Sequence, residues 1–254
     1  MARRSGGEAG PLLVLLHGLG ATGAVWQPVL EHIGRSWPGR WLAPDLPGHG
    51  GSPTLPSYSN QKMASALAST IAEEAHGEAI VLLGHSLGGT LSLLLASGNF
   101  GFTPESVHAV GIKVTWSDKD LATFARLRVR DSRVFATPQE ALAQHARYAG
   151  LAPDADSDLL QGGIIRIKDG WRAAMDLQCF AVEPPDMPTL MQEACMPVHL
   201  ACGSEDSLVS IDELRQFDPA AHQFSGAGHN AMVETPADVW RWFDETYSGW
   251  RVHL

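Results

Sequence analysis

The sequence predicts an α/β protein, a mostly parallel central sheet of about six strands with helices on both faces. Three observations predict it. Short apolar or β-branched runs occur at residues 12–16, 41–44, 79–83, 107–112, 198–201 and 222–224, and the stronger of them are apolar almost without a break. Such runs suit strands buried on both faces, as strands of a helix-covered parallel sheet are. Helix-like segments lie between them, and that alternation is the pattern of a wound α/β sheet. The length of 254 residues, with 44% hydrophobic and 18% charged, gives enough ordinary globular chain for one large domain carrying an insertion.

The elements follow in order. The run at 12–16 leads into the glycine-rich loop His17-Gly18-Leu19-Gly20, and the run at 41–44 leads into Asp45-Leu46-Pro47-Gly48-His49-Gly50, with Ser52 close behind. Residues 62–75 are Ala-rich with Glu73 and Glu74 at their end and read as a helix. Residues 87–96 form a helix that is apolar nearly all round, which places it centrally. Residues 235–247 are amphipathic, with Thr235 at the N-cap and Pro236 at the first helical position. The alternation lapses between 116 and 193, where helical patterns at 118–128 and 139–149 are separated by Pro, Gly and Asp clusters such as 152–156. That is the signature of an insertion lying over one edge of the sheet. The expected organisation is therefore one domain, 1–254, with 116–193 as a helical cap.

Several function classes are set aside by composition. A formal net charge of -10 gives no general attraction to nucleic acid or to anionic lipid. The longest apolar runs fall far short of the roughly 20 residues that span a bilayer. Cys179, Cys195 and Cys202 form neither a C-x-x-C pair nor a zinc spacing, so reduced structural thiols and no metal are expected. The start, MARRSGGEAG, carries no apolar h-region before a small-residue cleavage site, and a cytoplasmic location is expected.

The chemistry concentrates at Gly84-His85-Ser86-Leu87-Gly88-Gly89, which follows the run at 79–83 and opens the apolar helix. This fits the nucleophile elbow G-x-S-x-G, in which glycines flank a serine because a tight strand-to-helix turn crowds any side chain. Ser86 then projects its hydroxyl at the carboxyl edge of the sheet, beside a helix N-terminus whose N–H groups suit an oxyanion. A simple helix N-cap is the plainer alternative for this serine. A serine nucleophile needs a carboxylate and then a histidine later in the chain. Asp206 follows the run at 198–201, His229 follows the run at 222–224, and both fall where a strand ends and a loop begins.

With these residues on the page, the chain resembles the α/β-hydrolase superfamily, in its cap-bearing serine-hydrolase group, esterase- or lipase-like. The resemblance rests on the His17 loop, the Asp45 loop, the Ser86 elbow, Gly203-Ser204-Glu205-Asp206 and Gly226-Ala227-Gly228-His229. It implies Ser86 as nucleophile, His229 as general base and Asp206 as the carboxylate that fixes the imidazole tautomer. It also implies an oxyanion hole from the backbone N–H groups of Leu87 and Leu19, with Gly20 a neighbouring possibility. Only sixteen residues precede His17, so the family's N-terminal antiparallel hairpin is expected to be missing.

Other residues compete for roles. Glu205 adjoins Asp206 and is its nearest rival, Asp118 a remoter one, and Glu234 reads as support for the His229 loop. His17, His49 and His85 read as residues that pin loops. Gly18, Gly20 and Gly23 also match the dinucleotide fingerprint G-x-G-x-x-G, with Asp45 about 20 residues on. That alternative leaves the elbow, Asp206 and His229 unexplained, and Pro28 would break a helix opening at Gly20.

The expected activity is hydrolysis of a small or medium acyl ester through an acyl-enzyme, without a cofactor. A thioesterase, a lactonase and a C–C bond hydrolase share that mechanism, and a receptor-like ligand-binding protein on the same fold is the alternative of a different class. Trp116, Trp171, Met175 and Phe180 are the expected lining of the substrate pocket, with Phe124, Met187 and Met191 as further candidates. Arg126, Arg128, Arg130 and Arg133 read as a solvated basic face.

Overall fold

The computed structural model describes residues 1–152 and 155–247, apart from the side chains of 34–36. All six apolar runs become strands of one sheet, and a seventh joins them. In chain order the strands are β1 (Arg3–Gly6), β2 (Leu12–Leu16), β3 (Arg40–Pro44), β4 (Ile80–His85), β5 (Ser106–Val110), β6 (Ile164–Ile167), β7 (Gly170–Ala173), β8 (Val198–Gly203) and β9 (His222–Phe224). The main sheet runs β1-β3-β2-β4-β5-β8-β9, while β6 and β7 pair only with each other. Every neighbouring pair in the main sheet is parallel except β1 with β3.

The seventh strand adds one to the expected count of about six; it pairs with β3 alone, so among the described residues no N-terminal hairpin forms, as expected. Strand β1, Arg-Arg-Ser-Gly, pairs antiparallel from Arg3 opposite Pro44 to Gly6 opposite Trp41. It carries no apolar residue, and its side chains alternate between exposed and partly exposed. A polar edge strand held by backbone pairing leaves no hydrophobic pattern to read.

Strand β2 shows how the layers form. All five of its residues are buried, and successive side chains leave a strand on opposite faces. Leu12, Val14 and Leu16 enter the core beneath α2 (Asn60–Ala75) and α3 (Leu87–Leu95), whereas Leu13 and Leu15 enter the core beneath α1 (Gln27–Ser36) and α9 (Pro236–Thr246). Helix α3 is buried at every position but Leu94, which accounts for its all-round apolarity. Helix α2 starts where Ser59 Oγ accepts the Lys62 N–H at 3.2 Å. At α9, Thr235 holds the N-cap position and Pro236 opens the helix as expected, but the Thr235 hydroxyl donates back to the Ala231 carbonyl at 3.2 Å and makes no side-chain cap.

Residues 116–193 hold α4 (Asp118–Leu127), α5 (Pro138–Ala149), the β6–β7 hairpin and α6 (Met187–Glu193). Both α4 and α5 begin with a capping box, Ser117 with Asp120 and Thr137 with Glu140. The hairpin was not expected in a segment read as helical. Of the loop expected at 152–156, residues 153 and 154 lie outside the described residues. The short α7 (Ile211–Leu214) and α8 (Ala231–Glu234) complete the chain. No helix among the described residues is long and apolar enough to cross a membrane.

Candidate active site

Because six of the seven strands run parallel, their carboxyl ends gather at one edge. Strand β4 ends at His85 and α3 begins at Leu87, so Ser86 alone makes the turn. Its φ of 50° and ψ of -115° lie where a residue with a side chain rarely sits. Glycines make the turn possible: a Cβ on Gly84 would run into the Gly88 carbonyl, and one on Gly88 into the carbonyl of Leu16. The Ser86 hydroxyl makes no capping bond to α3, so it does not serve as a plain N-cap.

Asp206 follows β8 and is held by a backbone donor. Its Oδ1 accepts the Leu208 N–H at 2.8 Å, and its Oδ2 accepts from His229 Nδ1 at 2.8 Å. The Asp206 side chain is 1% exposed and that of His229 19%. Three contacts hold the His229 loop. His85 Nε2 donates to the His229 carbonyl at 2.8 Å, with ring centroids 4.7 Å apart. Glu234 accepts the Gly228 N–H, and Asn230 Nδ2 donates to the Gly150 carbonyl at the end of α5, at 2.8 Å. Burial, with His229 alongside, holds His85 well below the usual histidine range and keeps it neutral. Glu205 is exposed and its carboxylate makes no bond to His229 among the described residues.

Ser86 and His229 line the same cavity of about 260 Å³. No hydrogen bond joins the two side chains among the described residues.

The loop after β2 is pinned by two histidines. His17 donates through Nδ1 to the Gly18 carbonyl and accepts the Leu46 N–H at Nε2, each at 2.8 Å. His49 donates through Nδ1 to the Pro47 carbonyl at 3.1 Å and accepts the Gly20 N–H at Nε2 at 3.0 Å. Burial lowers His17 to about 4 and His49 to about 3. The N–H of Gly20 is thus engaged, whereas those of Leu19 and Leu87 make no hydrogen bond among the described residues. Asp45 accepts the Gly23 N–H at 2.9 Å and the Gly51 N–H at 3.0 Å, and its carbonyl accepts the Ser52 hydroxyl at 2.7 Å. A carboxylate with both oxygens bound by backbone is a loop tie, not a free grip for a ribose.

Of the four expected pocket residues, Trp116 and Phe180 line the cavity, joined by Phe124 between them with edge-on ring contacts at 4.9 and 5.1 Å. Trp171 and Met175 do not. Trp171 sits on β7, bridged to Phe135 and stacked under Arg166 at 5.7 Å. Met175 is 2% exposed in the core beneath α2 and α3, bridged to His49. Met187 and Met191 pack into that same core, and the four arginines are exposed and away from the cavity. Sequence reasoning missed Thr90, Lys113 and Tyr148, which do line it. Thr90 was findable, since it lies four residues after Ser86 on one helical face.

A wound sheet of this order, turning through a serine elbow at its carboxyl edge, defines the α/β class of hydrolases. The chain belongs to the alpha/beta hydrolase family, whose model matches residues 13–242. It is 38% identical over 236 residues to a 2-succinyl-6-hydroxy-2,4-cyclohexadiene-1-carboxylate synthase of Pectobacterium atrosepticum, covering 89% of this chain and 90% of that protein. It is 29% identical over 245 residues to a pimeloyl-(acyl-carrier protein) methyl ester esterase of Vibrio vulnificus, again covering 89% and 90%. Among solved structures, E-2-(acetamidomethylene)succinate hydrolase superposes with a TM-score of 0.78 at 24% identity, covering 96% of this chain and 93% of that one. At that identity the likeness is one of fold.

Proposed function

We propose that the chain is a serine hydrolase that cleaves a small or medium acyl ester through Ser86, His229 and Asp206. The observation that carries this reading is the 2.8 Å contact between His229 Nδ1 and the buried Asp206 carboxylate, beside a cavity that Ser86 also lines. On this reading the ring proton sits on Nδ1, facing the carboxylate, and Nε2 is the base.

Ser86 Oγ attacks the acyl carbon as His229 takes its proton, and the carbonyl oxygen becomes an oxyanion facing the Leu19 and Leu87 N–H groups. The intermediate collapses, the alcohol leaves with the proton held by His229, and the acyl group stays on Ser86. Water then attacks that ester, giving its proton to His229, which returns one to Ser86. Each oxyanion donor is worth about 3 kcal/mol of barrier. Residues 116–193 act as a cap, placing Trp116, Phe124 and Phe180 over the acyl group. The esterase relatives support ester chemistry.

The test is turnover of p-nitrophenyl acyl esters with fluorophosphonate labelling. Labelling at Ser86, and loss of both signals in Ser86→Ala, are expected. The absence of both turnover and labelling, or turnover that survives Ser86→Ala, would overturn the proposal. The 38% identity to a synthase favours a second reading, in which the same three side chains act on a carboxylate-bearing carbon skeleton. Labelling of Ser86 without turnover of any ester would favour it.

A further inference from the structure

Two side grooves adjoin the cavity, and each shares part of its wall. One, of about 330 Å³, shares Lys113, Asp120 and Leu208 and reaches Asp206. The other, of about 340 Å³, shares Thr90, Glu183 and Pro185. On the ester-hydrolase reading, on which this inference rests, His229 hands its proton to the departing alcohol. The leaving group therefore sits beside His229 Nε2, which leaves the flank of Thr90 for the acyl group.

Glu183 and Pro185, with Thr90, line both the cavity and that second groove, and with Pro184 between them the first two form a strap along the shared wall. Asn60, the first residue of α2, holds the strap at two points. Its backbone N–H donates to Glu183 Oε2 at 3.1 Å, and its Nδ2 donates to the Glu183 carbonyl at 2.9 Å. The carboxylate thus lies on the N-terminus of a 16-residue helix, where negative charge is favoured. Among the described residues no other hydrogen bond ties 183–185 to the body, and two of the three residues are prolines without an N–H. The pin is also imperfect: Asn60 is 8% exposed and its Oδ1 is buried without a partner, a cost that opposes the closed arrangement.

We propose that the strap pinned by Asn60 sets the length of acyl chain that the enzyme accepts. Pinned, it closes the acyl side of the cavity; released, it joins the cavity to the groove behind it and makes one longer channel.

The experiment compares kcat/KM over p-nitrophenyl esters from acetate to laurate, and over acetate esters of lengthening alcohols, for wild type, Asn60→Ala and Asn60→Ala with Leu94→Trp. Leu94 lines the side groove but not the cavity, so the tryptophan fills only the space that the strap conceals. In wild type, turnover is expected to fall beyond medium acyl lengths. Asn60→Ala raises the laurate-to-acetate ratio about tenfold or more, the scale on which apolar pockets discriminate chain length. Acetate turnover and the alcohol series stay within about twofold of wild type, well below that discrimination, and Leu94→Trp restores the short-chain profile. Should Asn60→Ala fail to fold, Asn60→Asp replaces the Nδ2 donor with a carboxylate facing the Glu183 carbonyl and carries the same test from outside the cavity. An acyl profile unchanged in every variant while acetate is still turned over, or a gain confined to the alcohol series, overturns the inference and leaves the ester-hydrolase reading standing. A wild type that neither turns over esters nor labels at Ser86 overturns that reading, and the inference with it.

Discussion

His49 Nε2 accepts the N–H of Gly20 at 3.0 Å, from a ring that is itself fixed by the Pro47 carbonyl at 3.1 Å. This pairing engages the Gly20 donor, whereas the Leu19 N–H makes no hydrogen bond among the described residues. Removing the ring in His49→Ala strands a buried N–H, at a cost of about 1–3 kcal/mol in a urea unfolding experiment. Because the stranded donor lies one residue from Leu19, ester turnover should fall as well, through kcat more than KM. His49→Gln, which offers a carbonyl acceptor, should recover part of both.

Asp206→Asn tests the orientation of His229. The amide can donate to Nδ1 where the carboxylate accepted, so the ring presents the wrong tautomer to Ser86. A loss of about 10⁴-fold in kcat with KM little changed is expected, with fluorophosphonate labelling slowed in parallel. A loss of less than tenfold would point to Glu205 or another carboxylate as the partner.

Gly111 passes beneath the His229–Asp206 pair with φ at +68°, and a Cβ there would stand 3.3 Å from the imidazole and 3.4 Å from Asp206 Oδ2. Gly111→Ala should cost about 1 kcal/mol of stability from its backbone conformation alone. Displacing the ring should lower kcat by about tenfold or more. A kcat unchanged from wild type would show that the pair's position is not used in turnover.

Acid should unfold the protein through its buried histidines. Burial lowers His17 to about 4, His49 to about 3 and His145 to about 4. Each is neutral when folded and takes a proton below about 6.5 when unfolded, so the stability it contributes is complete above pH 6.5. That stability drains away as pH falls toward 4 and then 3, at up to about 1.4 kcal/mol per pH unit for each group. His145 sharpens the test, since both of its ring nitrogens are buried without a partner and it packs against Gly163. His145→Leu should raise the urea midpoint more at pH 5 than at pH 8. Equal shifts at both values would exclude His145 from the acid transition.

Much was legible from the sequence alone. Six strands, the central burial of α3, the opening of α9 by Pro236 and the placing of Ser86, Asp206 and His229 at one sheet edge all follow from signals spanning a few residues. Strand burial, turn glycines and the ends of apolar runs are properties of the local chain, and a parallel sheet brings its strand ends to one side by construction. Tertiary structure alone decided the rest: that Arg3–Gly6 is an edge strand, that His49 takes the Gly20 donor, and that Trp116, Phe124 and Phe180 face the cavity while Trp171 and Met175 do not. Apolar residues between 116 and 193 serve either the core or the cavity with the same spacing. Which they serve depends on how that segment docks against loops distant in the chain, through contacts such as Asn230 with Gly150 and Asn60 with Glu183.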